Sequence, residues 1–259
     1  MLEEAAEMKR ALAAALTAGA MIAGTAPAWA DWSASAGVEG FHWKETTTPG
    51  VKENGLRWAL DLSWVQHKEP GFTPGYNLKY YVGNVDYTGA FIGTGAPISG
   101  ETHYRGFTNE FQTIYRGAQN PVDFFLALGW DHWDRRLSAA QEENWDVLYT
   151  RLGVNVNSLV KQGVFGSLGV KYSAWTRENA NLTSIGFNEN PRLRPGKDFS
   201  FYGTVGYRMS PAWDVVMYYD SYRFKQSNSV AVTSGGAGFI VFQPESKMDV
   251  LGVKLQHHF

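Results

Sequence analysis

Residues 56–64 read Leu-Arg-Trp-Ala-Leu-Asp-Leu-Ser-Trp, which puts Leu56, Trp58, Leu60, Leu62 and Trp64 on one side of a two-residue repeat and Arg57, Ala59, Asp61 and Ser63 on the other. A helical period would scatter these large apolar side chains around a cylinder, whereas a strand gathers them on one face. A sandwich or lipocalin-like barrel would hide its apolar face and show water a polar one. Here the second face is too rich in charge and hydroxyl to be a dry core. The segment therefore predicts a strand whose apolar side meets lipid.

The same alternation recurs at Val122/Phe124/Leu126/Leu128/Trp130, Leu148/Leu152/Val154/Val156, Val164/Leu168/Val170, Phe199/Phe201/Val205/Tyr207, Trp213/Val215/Met217/Tyr219 and Leu251/Val253/Leu255/His257/Phe259. Weaker runs span 32–43, 76–88 and 103–116. The expected fold is all-β: a transmembrane antiparallel up-and-down β-barrel of about ten strands, with eight or twelve as alternatives, each core run covering the roughly 9–11 residues a tilted strand needs. Connections fall near 45–54, 68–75, 89–101, 117–121, 131–143, 157–163, 176–197, 209–212 and 226–246, long and short in alternation. Such alternation suits external loops and periplasmic turns. The short ones carry breakers, "GAQNP" and "MSPA". Trp58, Trp64, Trp130 and Trp213 fall near strand ends, where an aromatic girdle would sit.

The start of the chain fits export. From Met8 it has a basic start (Lys9, Arg10), an apolar stretch from Ala11 to Ala26 and a small-x-small ending at Ala28-Trp29-Ala30. Residues 1–30 are expected to be a signal peptide cleaved before Asp31, with 31–259 the barrel domain. Glu3, Glu4 and Glu7 precede the basic start, so Met8 is the expected initiator. Residues 1–30 hold two of the 23 bases and three of the 25 acids, leaving a net charge near −1. That balance argues for no nucleic-acid partner. With no cysteine, disulfides and thiolate chemistry are excluded.

The signal peptide, the alternating strands and a last strand ending in Phe259 together resemble Gram-negative outer-membrane β-barrel proteins. The resemblance implies an outer-membrane location, contact with outer-membrane lipids and lipopolysaccharide, and a terminal strand read by the barrel assembly machinery through Leu255, His257 and Phe259. His257 departs from the more usual apolar residue at its position. The resemblance also implies that the last strand pairs with the first, which removes the sheet's edges.

Reading the inward face gives lumen-lining candidates of both signs: Glu39, Asp61, Glu110, Asp123 and Asp214 among the acids, Arg57, Lys79, Arg151, Lys171, Arg208 and Lys254 among the bases. Asp131, Asp220 and Arg177 are assigned to the same face. A barrel of about ten strands lies near the size that side chains fill. Two functions follow: a narrow porin-like solute pore, or a surface barrel that binds a small solute or surface ligand. The alternative is a filled structural or adhesive barrel acting through its loops. Catalysis by a rim-located protease or lipid-modifying site has one candidate, "WDHWDRR" at 130–136, where His132 and Asp134 share a face and an interfacial anchor is the blander explanation. No cofactor is implied.

Outer-loop binding candidates are His132, Arg135, Arg136, Arg192, Arg194, Phe239 and Phe242. The arginines are placed to meet lipopolysaccharide phosphates. The apolar stretch "SVAVTSGGAGFIVFQP" at 229–244 is expected either to extend a hairpin above the membrane or to fold into the barrel mouth. His257 and His258 point to opposite faces and cannot chelate one metal together.

Overall fold

A computed structural model of the protein describes residues 30–259 except 48–49, 67–69, 91–93 and 118–120. The expected signal peptide, apart from Ala30, lies outside the described residues. Ten strands make one closed antiparallel barrel: β1 (Ala30–Glu45), β2 (Lys52–Gln66), β3 (Gly71–Ala90), β4 (Pro97–Arg116), β5 (Val122–Arg136), β6 (Glu142–Val156), β7 (Gly163–Ala180), β9 (Phe199–Ser210), β10 (Trp213–Phe224) and β13 (Ser246–His258). Three short strands lie in the longer loops: β8 (Arg192–Leu193) against β7, and the hairpin of β11 (Val230–Ser234) with β12 (Ala237–Val241). Each barrel strand pairs with its neighbour in sequence, and β1 pairs with β13 from Ser33↔His258 to Glu45↔Ser246, so no long edge stays open. No helix is long and apolar enough to cross a membrane among the described residues.

Outward side chains set the membrane band. Leu56, Trp58, Leu126, Leu128, Leu168, Phe201, Met217 and Leu251 all face outward and are exposed, the apolar surface that a membrane barrel turns toward lipid. Trp64 and Trp213 stand toward the short-turn end of the band, and Trp58, Trp130 and Trp175 toward the long-loop end. Above the band, outward residues turn polar on strand after strand and join across the ladder: His42 with Asn54, His103 with Asn84 (2.7 Å), Arg105 with Asp134 (2.7 Å), His132 and Arg177 with Asp146 (2.9 and 2.6 Å), and Arg223 with Asp249 (2.5 Å). This polar ring marks the external surface of the bilayer.

The strands are longer than crossing requires. β3 and β4 have 20 residues each, which at a rise of about 3.3 Å and a tilt near 40° reach roughly 50 Å, about twice the height of the apolar band. The outer loops are accordingly shorter than the sequence suggests, for example 137–141 in place of 131–143. Residues 131–136, expected in that loop, belong to β5.

Inward glycines let the bore be filled by rings from neighbouring strands. A Cβ at Gly129 would overlap the Tyr149 ring, one at Gly252 the Tyr218 ring and one at Gly206 the Phe165 ring. A side chain at Gly129 is therefore expected to displace Tyr149 from its 2.8 Å hydrogen bond to Glu110. Overpacking of this kind costs about 1–3 kcal/mol. Gly129→Val should lower the urea midpoint of the refolded barrel, and an unchanged midpoint would contradict the ring-on-glycine packing.

Candidate functional site

The bore divides into three levels. Near the short-turn end, Asp123 takes Arg116 (3.1 Å) and Ser158, while Asp214 takes Arg208 (2.8 Å) and His258 (2.7 Å). The two arginine pairs cross between strands joined by short turns, and His258 brings in the last strand, so that together they tie the barrel's base.

At mid-height the lumen holds a polar cavity of about 240 Å³. Glu39, fully buried on β1, accepts hydrogen bonds from Arg57 (2.9 Å), Lys79 and Tyr218 (2.7 Å). Arg57 is sandwiched between the rings of Phe41 and Tyr81, each 4.3 Å from the guanidinium carbon. Asp220 binds Arg151 (2.7 Å) and Lys171 (2.6 Å), and Arg151 also reaches Glu110 (3.3 Å). Asp61 lies 3.4 Å from Lys254. Asp131 accepts from Tyr81 (2.9 Å), Tyr222 (3.1 Å) and Thr108 (3.1 Å). Burying such charges is tolerable only because each meets an opposite charge or a donor. The eleven lumen candidates, Glu39, Arg57, Asp61, Lys79, Glu110, Asp123, Arg151, Lys171, Arg208, Asp214 and Lys254, all point inward, and each sits in an ion pair.

Above the cavity, rings cross the bore. Trp133 stacks on Trp145 (5.3 Å, 10°), Trp43 meets Trp145 edge-on (5.4 Å) and Tyr222 stacks on Phe224 (5.4 Å, 11°). Trp43, Trp133 and Trp145 are completely buried. The sequence does not single out this plug, because Trp133 falls inside the interfacial "WDHWDRR" cluster. The signal was present: Trp133 has the opposite parity to the lipid-facing Trp130.

Capping the plug is a layer of four buried glutamates and one arginine, Glu45, Glu53, Glu143, Glu178 and Arg135. Arg135 donates to Glu53 (2.9 Å) and Glu143 (2.7 Å) and lies 4.0 Å from Glu45. Arg135 is thus corrected from a loop residue facing phosphates to an inward clamp, because β5 continues through Arg136 and its parity turns Arg135 inside. Glu178 stands beyond the polar ring, and its Oε2 has no hydrogen-bond partner among the described residues. Burial, with Glu143 beside it, pushes its carboxyl well above the usual range.

A second correction concerns Arg177. A bulge shifts the register so that Leu148 pairs with Trp175 while Tyr149 pairs with Ser173. The extra residue reverses the parity of the upper strand, and Arg177 emerges on the outside.

Other outer candidates are scattered. His132 lies on the outward face of β5 between Asp146 (2.9 Å) and Asp134 (3.7 Å). All three side chains stand on the outward face of the barrel, within the polar ring. Arg136 is exposed and paired with Glu142 (3.0 Å). Arg192 on β8 and Arg194 beyond it are exposed. Phe239 packs edge-on against Phe187 (5.5 Å), and Phe242 is half-buried below the hairpin. Of the two placements expected for 229–244, the hairpin forms, turning at Gly235 and Gly236, whose φ values of 56° and 83° suit glycine. It is tied to the neighbouring loop by Asn188–Thr233 bonds. Leu255, His257 and Phe259 share the outward face, and His257 stacks edge-on between Trp213 (4.6 Å) and Phe259 (4.8 Å).

No family profile matches the chain, and no curated sequence relative is found. Among solved structures the chain is similar to outer membrane protease OmpT from Escherichia coli, with a TM-score of 0.55, 11% identity, and 90% of this chain and 98% of that one covered. It is also similar to the translocator domain of autotransporter NalP from Neisseria meningitidis, with a TM-score of 0.41, 9% identity, and 99% and 98% covered. A third is the toluene transporter TodX of Pseudomonas putida, with a TM-score of 0.38, 9% identity and 90% of each chain covered. The lipid-facing band and the closed sheet, with the likeness to OmpT, give the chain the fold of an integral outer-membrane β-barrel. Identities this low speak to the fold alone.

Proposed function

We propose that the protein is a plugged outer-membrane barrel that acts through its external face and does not conduct in its resting state. One observation carries this reading: the completely buried stack of Trp43, Trp145 and Trp133 across the bore. A pore needs a continuous wet path, and rings packed at protein-core density leave none. The mid-height cavity is then a blind chamber beneath the plug. The charged pairs lining it stabilise the closed form and transport nothing.

On this reading the parts left free to meet a partner are the β11–β12 hairpin and its flanking loop. Val232 is buried under the hairpin while Ile240 stays 64% exposed. Arg192 and Arg194 stand nearby as anion contacts for lipopolysaccharide or a surface ligand. Leu255, His257 and Phe259 serve as the assembly signal, and residues 1–30 as the export signal. Catalysis is not part of this proposal, since His132 and its two aspartates stand on the outward face of the barrel wall.

The test is planar-bilayer recording of refolded residues 31–259, with circular dichroism and heat-dependent gel mobility to show that the barrel has formed. Silence is the expected result. Discrete steps from the unaltered protein would overturn the proposal in favour of the narrow pore. Deleting 230–242 should leave the barrel folded, because the hairpin forms its own two-stranded sheet outside the closed one. Loss of heat-dependent mobility in that variant would make the hairpin part of the barrel's structural core.

A further inference from the structure

The β11–β12 hairpin forms its own sheet outside the closed barrel, and its two edges differ. Its turn holds two residues, Gly235 and Gly236, so the flanking Ser234↔Ala237 pair exchanges both backbone bonds. Alternation then turns the N–H and C=O groups of Ala231 and Thr233 toward one outer edge and those of Gly238 and Ile240 toward the other. The β11 edge is taken. Thr233 accepts from the Asn188 N–H (2.9 Å) and donates to Asn188 Oδ1 (2.6 Å), and Phe187 bridges to Ser234. The β12 edge is open: Gly238 and Ile240 have no backbone partner on that side among the described residues, Ile240 is 64% exposed, and a Cβ built on Gly238 meets no atom within 4 Å.

Exposed edges are normally blunted by lysine, proline or a bulge. β12, Ala-Gly-Phe-Ile-Val, carries none of these, and residues 226–244 hold no charged side chain. A two-fold pairing sets a strand against its own copy, so any charge would meet a like charge; this edge has none to repel. The free groups fix the register. With the two-fold axis at Phe239, Gly238 of one copy stands opposite Ile240 of the other, and the two such pairs exchange four backbone bonds. The large Ile240 then lies beside a residue without a side chain, and the two Phe239 residues meet as a non-hydrogen-bonded pair.

We propose that β12 is the pairing edge for a second copy of this chain, joining two molecules through one four-stranded sheet. The inference rests on the reading that the protein acts through its external face and names the partner. Because the β11 edge is occupied, association closes at two copies and does not run on into a fibre. Five residues a side fall well short of the roughly 20–30 of a stable interface, so the pair forms where membrane insertion concentrates the barrels and not between dilute copies.

The chain has no cysteine, so single cysteines report the register. In vesicles carrying the mature chain, mild oxidation should cross-link Phe239→Cys into a dimer, because a non-hydrogen-bonded pair holds its Cα atoms about 4.5 Å apart, within disulfide reach. Ile240→Cys, at the more exposed position, should cross-link at least about tenfold less, since the two copies of residue 240 lie two residues out of register and roughly 8 Å apart. Phe239 also packs on Phe187, so a second measurement leaves it in place. Gly238→Pro removes an N–H that the hairpin does not use, and native mass spectrometry should show a dimer of the cysteine-free parent that this variant forms roughly thirtyfold more weakly. Equal cross-linking at 239 and 240, dimers undiminished by Gly238→Pro, or species larger than a dimer would overturn the proposal. A parent that stays monomeric and silent in planar bilayers would overturn it and leave the plugged barrel standing. A conducting parent that cross-links at 239 would overturn the plug and leave the pairing.

Discussion

Replacing Trp133 and Trp145 together with alanine is expected to turn a silent barrel into a conducting one. The two indoles are stacked at 5.3 Å and carry the centre of the plug, with Trp43 and Phe224 closing around Trp145 (5.4 Å each). Truncating either removes contacts worth about 3–5 kcal/mol in an ordinary core. The sheet itself should survive, because the ladder closes through β1 and β13 independently of the plug. What remains is a gap above a cavity already about 240 Å³ in volume. Planar-bilayer recording should show discrete steps from the double variant, absent from the parent protein. Asp61→Asn in that background should move selectivity toward anions, because the Lys254 charge beside it (3.4 Å) is left unbalanced. Continued silence from a folded double variant would mean that the charged layer beneath, built on Glu39 and Arg57, is itself the seal.

The fold was legible in the sequence because one physical demand repeats along it. A strand that faces lipid must place an apolar residue at every second position, and Leu56 to Trp64 or Val122 to Trp130 satisfy that demand without exception. The inward charges follow from the same parity. Where parity breaks, so does the reading. The bulge opposite Leu148 and Tyr149 moves Arg177 to the outside, and nothing in "SAWTRENA" announces it. Where the strand leaves the bilayer, lipid no longer imposes a pattern on its outer face. Residues 131–136 therefore read as a loop, although hydrogen bonding carries β5 and β6 together as far as Arg136↔Glu142. The plug was hidden for a related reason. An inward tryptophan and a girdle tryptophan look alike in composition and differ only in parity, and Trp43 and Trp145 lie at strand ends where a girdle is also expected.

Glu178→Gln is expected to stabilise the folded barrel at neutral and alkaline pH and to leave it little changed in acid. Glu178 sits in the layer above the membrane band, almost completely buried, with Glu143 and Glu45 near it and Arg135 already engaged by Glu53 and Glu143. Its Oε2 accepts no hydrogen bond among the described residues. Burial and the neighbouring carboxylates therefore hold the proton on in the folded state. In the unfolded chain the same group releases it near a pH of about 4.3. The sign follows directly. Below the unfolded value both states are protonated and the group is neutral in its effect. Above it, the unfolded state gains from ionisation while the folded state cannot, and stability falls by about 1.4 kcal/mol for each pH unit until the raised folded value is reached. Glutamine keeps the shape and removes that slope. The urea midpoint of the variant should equal the parent's at low pH and exceed it increasingly as the pH rises above the unfolded value. Parallel curves for the two proteins would show that Glu178 is ionised inside the barrel and that Arg135, 2% exposed and ringed by carboxylates, balances more charge than its contacts indicate.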